Sequence, residues 1–595
     1  MKNFKNKLIV LIVIASFLQS CSEYVEEANP NEASSDTYWV DLDQSDASLT
    51  GVYGGMLDTF IVNPWAESWR SDLGIVSALR TGNPNARVVP IYTHTYNSGS
   101  FNIHRQWNAL YQVIYRANQL ITGLENMDVT LKSNTRWTEQ MGQARLLRGM
   151  CHFYLHAIYN KGEIIIRDKV PGIIEEFNKS TSSSAEVITF FRDDLLYAYN
   201  NLPHSFDEKS RVDKGVAATI LGTSHLYEKE YGLAIGYFNE IINNQAAYGY
   251  ALLTGEDVKK MYTEAGAFNS ESIFEINYSL AQKIEESQWY EESFSNRNAR
   301  YSAPNGTGGG APEHTVAAAW LTEAYSTESL DPLDPRNTVV GHNGRDRVAD
   351  NISLRASSMI ALVNDEHTEY YQSSTAAIRE SFNKQKISFF KQHTNHDIAV
   401  HEKDTGVSPW KSGKNVTINR LADIYLMRAE CYLEDGGNVT AALSDINTIR
   451  ARWGLALLGP VVDGSKTYIA NESVTGLPFT DENTLRKQLR HVERPLELNV
   501  QGVSSRNIDL RRWGNAQARF AELAGIKYYL DKYTYVNATG ANKVRNNSLL
   551  TRTVTTKELY ASGKNEFEDA AANYSDLNDY LPIPLTETDY NSNVN

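Results

Sequence analysis

The chain has 595 residues, 42% hydrophobic and 22% charged, with a formal net charge of −15. That length suits one large or several ordinary domains, and the acidic balance argues against nucleic acid, whose phosphates demand a concentrated basic surface. Three cysteines in so long a chain do not make a disulfide framework, and 34 Tyr with 10 Trp supply many rings with a polar edge, the kind that grip flat ligands.

At the start, Lys2, Lys5 and Lys7 precede an apolar run from Leu8 to Ala15, and Leu18-Gln19-Ser20-Cys21 follows. Roughly eleven apolar residues are too few to cross a bilayer, which takes about 20, so the stretch reads as a secretory signal. A small residue just before a cysteine is the lipobox pattern of bacterial lipoproteins. It predicts a signal peptide over 1–20, cleavage before Cys21 and acylation of that residue, and several acyl chains together anchor firmly. Residues 21–40 read as a polar tether. Its acids Glu23, Glu26 and Glu27 have two readings: export to the outer cell surface, or a solvated tether without sorting meaning. Without the three leader lysines the formal charge is −18, and no second long apolar segment follows.

From Trp107 to Leu124, Leu110, Val113, Ile114, Ala117, Leu120 and Ile121 recur at steps of three and four, which predicts an amphipathic helix. Thr138 to Tyr159 repeats the pattern through Ala144, Leu147, Cys151, Tyr154, Leu155 and Ile158. Lys214 to Ile242 reads as a helical hairpin broken near Lys229-Glu230-Tyr231-Gly232. There Gly222, Ala234 and Phe238 fall where a tetratricopeptide repeat places its small and aromatic packing residues, and the spacing from Ala429 to Ala441 matches. The copies lack a fixed period, which excludes a continuous solenoid and leaves a helical scaffold about 41–250 and 415–455. Cys151 and Cys431 lie in these apolar patterns and are expected as buried free thiols.

The largest interruption, about 252–414, is rich in Gly, Asn, Ser and turn signals, and shorter irregular stretches cover Val62 to Ser100 and Gly459 to Thr480. Such stretches are commonly functional surface. The run Pro304 to Gly310 lacks the lysine and strand-to-helix setting of a phosphate loop and reads as a loop tip. Val316 to Leu321, with Trp320 on it, reads as an apolar helical run. His393, His396 and His401 cluster, but their spacing fits no helix face, so a solvated surface stretch is expected and no metal is assigned. Gly-x-Ser-x-Gly and His-Glu-x-x-His are both missing from the sequence.

Ile418 to Glu430, Ala441 to Arg452, Glu493-Arg494-Pro495-Leu496-Glu497-Leu498, Gly502, Arg506, Asp509 to Gly514 and Tyr580 to Pro584 together resemble the SusD/RagB family of surface nutrient-binding lipoproteins. The likeness extends to Gln143 to Arg148 with Phe153-Tyr154-Leu155, and to Asp334-Pro335-Arg336, so it spans nearly the whole mature chain. Pro495 stands where a second basic residue is usual, and Gln501 where an acid is common.

The resemblance implies a mostly α fold: four tetratricopeptide-like helix pairs form a scaffold, and long irregular loop insertions carry the ligand face. One SusD-like domain would cover 41–595, with an irregular insertion about 252–414 and a C-terminal family region about 456–595. It implies a binding protein rather than an enzyme, one that needs no cofactor. Such a protein sits at the outer membrane and hands oligosaccharides, or less often peptides, to a SusC-like TonB-dependent transporter. Glu493, Arg494, Glu497, Arg506 and Asp509 are expected to tie helix to loop through charge-assisted hydrogen bonds. A surface glycosidase, which needs only two suitably placed acids, and a scaffold with protein partners alone remain alternatives.

Glycan capture asks for Trp or Tyr rings against the C–H face of a sugar, with Asn, Asp, Arg and Gln on its hydroxyls. Two regions offer them. The first supplies Trp65, Asp72, Tyr96 and Asn97, and the second Trp289, Tyr290, Arg297 and Tyr301. Binding and packing weigh equally for Trp65 and Trp289, whereas packing is favoured for Trp69, Tyr92 and Trp320.

Overall fold

The computed structural model describes residues 39–76, 88–281, 294–304, 315–348, 352–377, 382, 386–404, 411–560 and 563–594. The leader, Cys21, the tether, Trp289, Tyr290 and the Gly306–Gly310 run lie outside the described residues.

Helices dominate in chain order: α1 (Leu42–Met56), α2 (Pro64–Arg70), then strand β1 (Gly74–Val76), α3 (Phe101–Asn126), α4 (Thr135–Ile158), α5 (Ser184–Asn201), α6 (Lys214–Tyr227) and α7 (Tyr231–Asn243). After them come β2 (Ser272–Ile276), β3 (Thr315–Ala317), α8 (Ala319–Ser326), β4 (Ile360–Leu362), β5 (Ser388–Phe390), β6 (Val416–Arg420), α9 (Leu421–Glu434) and α10 (Val439–Arg452). The C-terminal part holds α11 (Glu482–Gln488), α12 (Arg494–Leu498), α13 (Ser505–Arg512), α14 (Ala516–Ala524), a hairpin of β7 (Tyr529–Val536) and β8 (Asn542–Thr551), and α15 (Leu585–Tyr590). The chain is mostly α, and each strand pairs in a sheet of only two.

Helices α1 with α3, α4 with α5, α6 with α7, and α9 with α10 form the four pairs of the scaffold, packed side by side in that order. Every apolar position anticipated on α3 and α4 is buried. Close approach is built into the small residues. A Cβ on Gly222 would sit 2.6 Å from the Phe238 ring, and one on Gly149 would meet the Asp194 Cβ at 2.9 Å, so a side chain at either place would wedge its pair apart. The equivalent position on α10 is Ala442, which is fully buried, rather than Ala441, which is partly exposed.

Two cores result. One lies within the helix pairs, and the other lies under the interruptions and the C-terminal part. Helix α9 is the wall between them. Ala422, Leu426, Ala429 and Leu433 face the second core, while Leu421, Ile424, Met427 and Cys431 face the first. An apolar helix on both sides has to be buried on both sides. Cys151 and Cys431 are free and buried.

The interruption over 252–414 is therefore not mere loop. It contributes β2 to β5 and much of the second core, including Tyr370, Tyr371, Phe389 and Phe390. The run Val316 to Leu321 is half strand and half helix, because β3 pairs with β1 before α8 begins.

Candidate functional site

The family motifs build a buried charge network. Glu497, with no exposed surface, accepts from Arg420 (2.7 Å), from Arg452 and from the Trp453 indole (2.7 Å). Arg420 and Arg452 also reach Glu271. Glu493 accepts from Arg450 (2.6 Å) and Arg355 (3.0 Å), and Arg355 also holds Glu328. Arg494 bridges Asp423 and Asp509 at 2.9 Å each, and Arg512 joins Asp509 to Glu430. Burial alone would raise the Glu497 carboxyl, yet the Arg452, Arg420 and Arg355 guanidiniums hold it down to about 2. A single π-helical turn, Leu489–Glu493, precedes α12 and aims Glu493 inward; Pro495, which has no N–H to offer, follows in the first turn of α12. These carboxylates are fully engaged by arginine, which suits fastening the two cores and leaves no spare acid for catalysis among them.

The loop face is built on α2. All seven of its residues are buried, so it is an internal strut. Trp65 is only 2% exposed; its indole donates to the Asn298 carbonyl (2.8 Å), and its ring packs against Phe390 and His393, both at 5.7 Å. Trp69 donates to Thr315 Oγ1 (2.8 Å) and meets Tyr301 edge-on at 6.2 Å. Asp72 has no exposed surface, and its two oxygens accept from Arg506 (2.7 and 2.8 Å) and from Arg519 (3.0 Å). Those arginines overcome burial and hold its carboxyl well below the usual range. The expectation that Trp65 and Asp72 contact ligand is corrected: both are sealed in the core, where each satisfies a partner from a distant part of the chain.

Of the other candidates, Tyr96 is half-buried with its hydroxyl on the Asn578 carbonyl (3.0 Å), and Asn97 is exposed in a turn, accepting from the Gly99 N–H (3.0 Å). Arg297 and Tyr301 are half-buried. Tyr92 and Trp320 are buried, as packing residues would be; the Trp320 indole donates to the Asp72 carbonyl, and Arg519 lies 4.5 Å over its ring.

The structure brings the two candidate regions together. Residues 294–304 lie against α2 through Trp65–Asn298 and Trp69–Tyr301. Val76 is the paired partner of Thr315, so the places where the chain leaves toward 77–87 and returns from 305–314 are adjacent. The return from 405–410 joins the same spot, where Ser412 N–H donates to the Asn296 carbonyl and the Asn296 amide donates to that of Lys414, each at 2.9 Å. The sequence reading missed these staples. The run Ser295-Asn296-Arg297-Asn298, dense in amides, was the signal for them.

The three histidines are a further correction. His393 and His396 are buried, and His401 is half-buried. Burial, helped by Lys414, pushes the His393 imidazole down to about 3. Among the described residues, no three His, Cys, Asp or Glu side chains are placed to hold a metal ion. His396 and Asp397 instead border a polar cavity of about 250 Å³ with Lys391, whose ammonium donates to the Ser357 carbonyl (2.7 Å), Thr368 Oγ1 (2.6 Å) and Asp365 (3.1 Å).

These neutral buried imidazoles set an acid limit. Burial holds His94 and His393 down to about 3, and desolvation with the nearby Arg519 and Arg506 does the same for the half-buried His491, whereas in the unfolded chain they take a proton below about 6.5. The unfolded state therefore binds more protons, and stability is lost as pH falls from about 6.5 toward 3. Glu497 adds a second loss from about 4.5 down to about 2. Thermal midpoints measured across pH 7.5 to 4 are expected to fall steadily; a flat profile would contradict the burial of these rings.

Comparison with known proteins agrees with this architecture. The model of the SusD family matches residues 270–595, and a model described as "Starch-binding associating with outer membrane" matches 23–226. The chain belongs to the SusD family. SusD-like protein P25 of Formosa agariphila is 21% identical over 526 residues, covering 85% of this chain and 89% of its own. A SusD superfamily protein from Bacteroides vulgatus superposes with a TM-score of 0.68 at 20% identity, over 94% of this chain and 99% of that one. Surface glycan-binding protein A from Bacteroides fluxus gives 0.61 at 16% identity, over 93% and 97%. At such identities these likenesses show the fold.

Proposed function

We infer that this protein captures an oligosaccharide at the loop face and delivers it to a SusC-like TonB-dependent transporter, without altering it chemically. The observation that carries the reading is the seating of residues 294–304 on the buried strut α2, through Trp65–Asn298 and Trp69–Tyr301, which sets the half-buried Arg297 and Tyr301 over a rigid base. A rigid base under irregular chain is how a fold presents a recognition surface. Family membership supports it, as do relatives named for binding glycan and a family model named for starch binding at the outer membrane.

The contacts are drawn from Tyr96, Asn97, Arg297 and Tyr301 with Trp289 and Tyr290. Rings would stack on sugar faces while amide and guanidinium groups meet the hydroxyls. The mature protein would hang from the outer membrane by acyl chains on Cys21, facing outward. Among the described residues no helix is long and apolar enough to cross a membrane. Capture requires release, so modest affinity suffices.

The test is calorimetry of the full chain in detergent against maltoheptaose, laminarihexaose, acidic oligosaccharides and mixed peptides, with product analysis of each mixture. Saturable sugar binding with intact ligand is expected. Cleaved sugar would turn the reading to a glycosidase, and binding of peptides alone to peptide import.

A further inference from the structure

Helix α3 uses one face for the core and carries a different chemistry on the other. Arg105, Asn108, Gln112 and Tyr115 follow one another there at steps of three and four. They form one wall of a groove of about 440 Å³, whose opposite wall is the 167–177 segment and whose floor includes Trp107, Tyr111 and Glu587. That volume lies within the range of about 300–1,000 Å³ usual for ligand sites.

The floor is fixed. The Trp107 indole donates to Glu587 (3.2 Å) and the Tyr111 hydroxyl to the Ile165 carbonyl (2.7 Å). The opposite wall is held as well, because Arg167 donates to the Phe177 carbonyl (2.8 Å) and sits 3.5 Å from Glu587, while Lys169 pairs with Glu176 at 2.9 Å. Arg167 and Lys169 are thus each paired, and Arg105 on the α3 wall lies 4.7 Å over the Phe60 ring. Beside these charges lie neutral groups. Asn108 and Gln112, one helical turn apart, make no side-chain hydrogen bond among the described residues, and Tyr115 and Phe177 leave 41% and 51% of their surface exposed.

We propose that this groove is a second saccharide site, separate from the loop face, that takes an uncharged oligosaccharide; this rests on the reading that the protein captures glycan. One sugar ring stacks its C–H face on Tyr115. The two amides, each with donors and an acceptor, bridge neighbouring hydroxyls. Arg167 and Lys169 are committed to Glu587 and Glu176 and Arg105 lies over the Phe60 ring, so the uncharged Asn108, Gln112 and Tyr115 define the ligand and a neutral one fits. The groove also adjoins the loop face: Thr59, next to Asp58 of the groove, lies 3.3 Å from Asn298, and Arg116 lies 5.9 Å over the Phe294 ring. A long chain can therefore engage both places.

The experiment is calorimetry of the full chain with maltoheptaose, laminarihexaose and cellohexaose, comparing Tyr115→Ala, Asn108→Ala, Tyr115→Trp and Trp289→Ala. These α3 side chains are on the surface, so folding is not at stake. Tyr115→Ala and Asn108→Ala are expected to weaken binding about tenfold, Tyr115→Trp to keep it, and the Tyr115→Ala loss to add to that of Trp289→Ala. Binding unchanged in both α3 alanine variants while Trp289→Ala abolishes it would overturn the groove and leave capture standing. Binding of none of the three sugars would count against both.

Discussion

Replacing Glu497 with alanine is expected to cost about 3–5 kcal/mol of stability, the usual range for breaking a buried ion pair from one side. The side chain has no exposed surface, and its removal leaves Arg420 and Arg452 to share the Glu271 carboxylate alone and strands the Trp453 indole N–H. Since folded proteins hold only about 5–15 kcal/mol in total, much of the soluble yield should vanish with it. Glu497→Gln keeps acceptor geometry on one oxygen and should fall between the variant and the parent. Denaturation midpoints decide this, and a loss below about 1 kcal/mol for the alanine variant would show that the network is looser than its geometry.

Asp72→Ala should do comparable damage, again about 3–5 kcal/mol, for a different reason. Its carboxylate is the common acceptor of Arg506 at the start of α13 and Arg519 on α14. Removing it leaves Arg506 without a carboxylate and Arg519 with Glu522 alone, and weakens the tie to the C-terminal part, where Asn507 still holds Glu67 of α2. Any fall in sugar binding should track the unfolded fraction and be recovered at low temperature, where the variant refolds. Loss of binding at full stability would instead return Asp72 to the ligand.

The difference between these residues and true ligand contacts could be read only partly in the sequence. Glu493, Arg494, Glu497 and Asp509 belong to a recognisable block, and their structural role was expected from it. Their partners Arg355, Arg420 and Arg452 could not be named, because ion pairs across that much chain leave no local pattern. The amphipathic face of α3 was legible because 26 residues repeat a period, whereas α4 is buried all round from Gln140 to Ile158 except at Arg145, so its anticipated apolar positions are only part of its packed surface. Helix α2 has seven residues, all buried, and shows no period at all, so Trp65 could not be sorted into packing or binding. His393 and His396 looked solvated because turn residues surround them, yet tertiary packing against Trp65 and Tyr370 buries them. The groove on the outer side of α3 could not be seen, because its other wall, 167–177, is distant in sequence.

Capture is assigned to the loop side chains, Trp289 among them, and fastening to the buried strut. The measurement that tests it most directly is titration of the full chain and of Trp289→Ala with the oligosaccharide selected from the panel, alongside their melting temperatures. Trp289→Ala is expected to lose at least about tenfold in affinity with an unchanged melting temperature. Full affinity in that variant, or a melting temperature that falls together with binding, would contradict it.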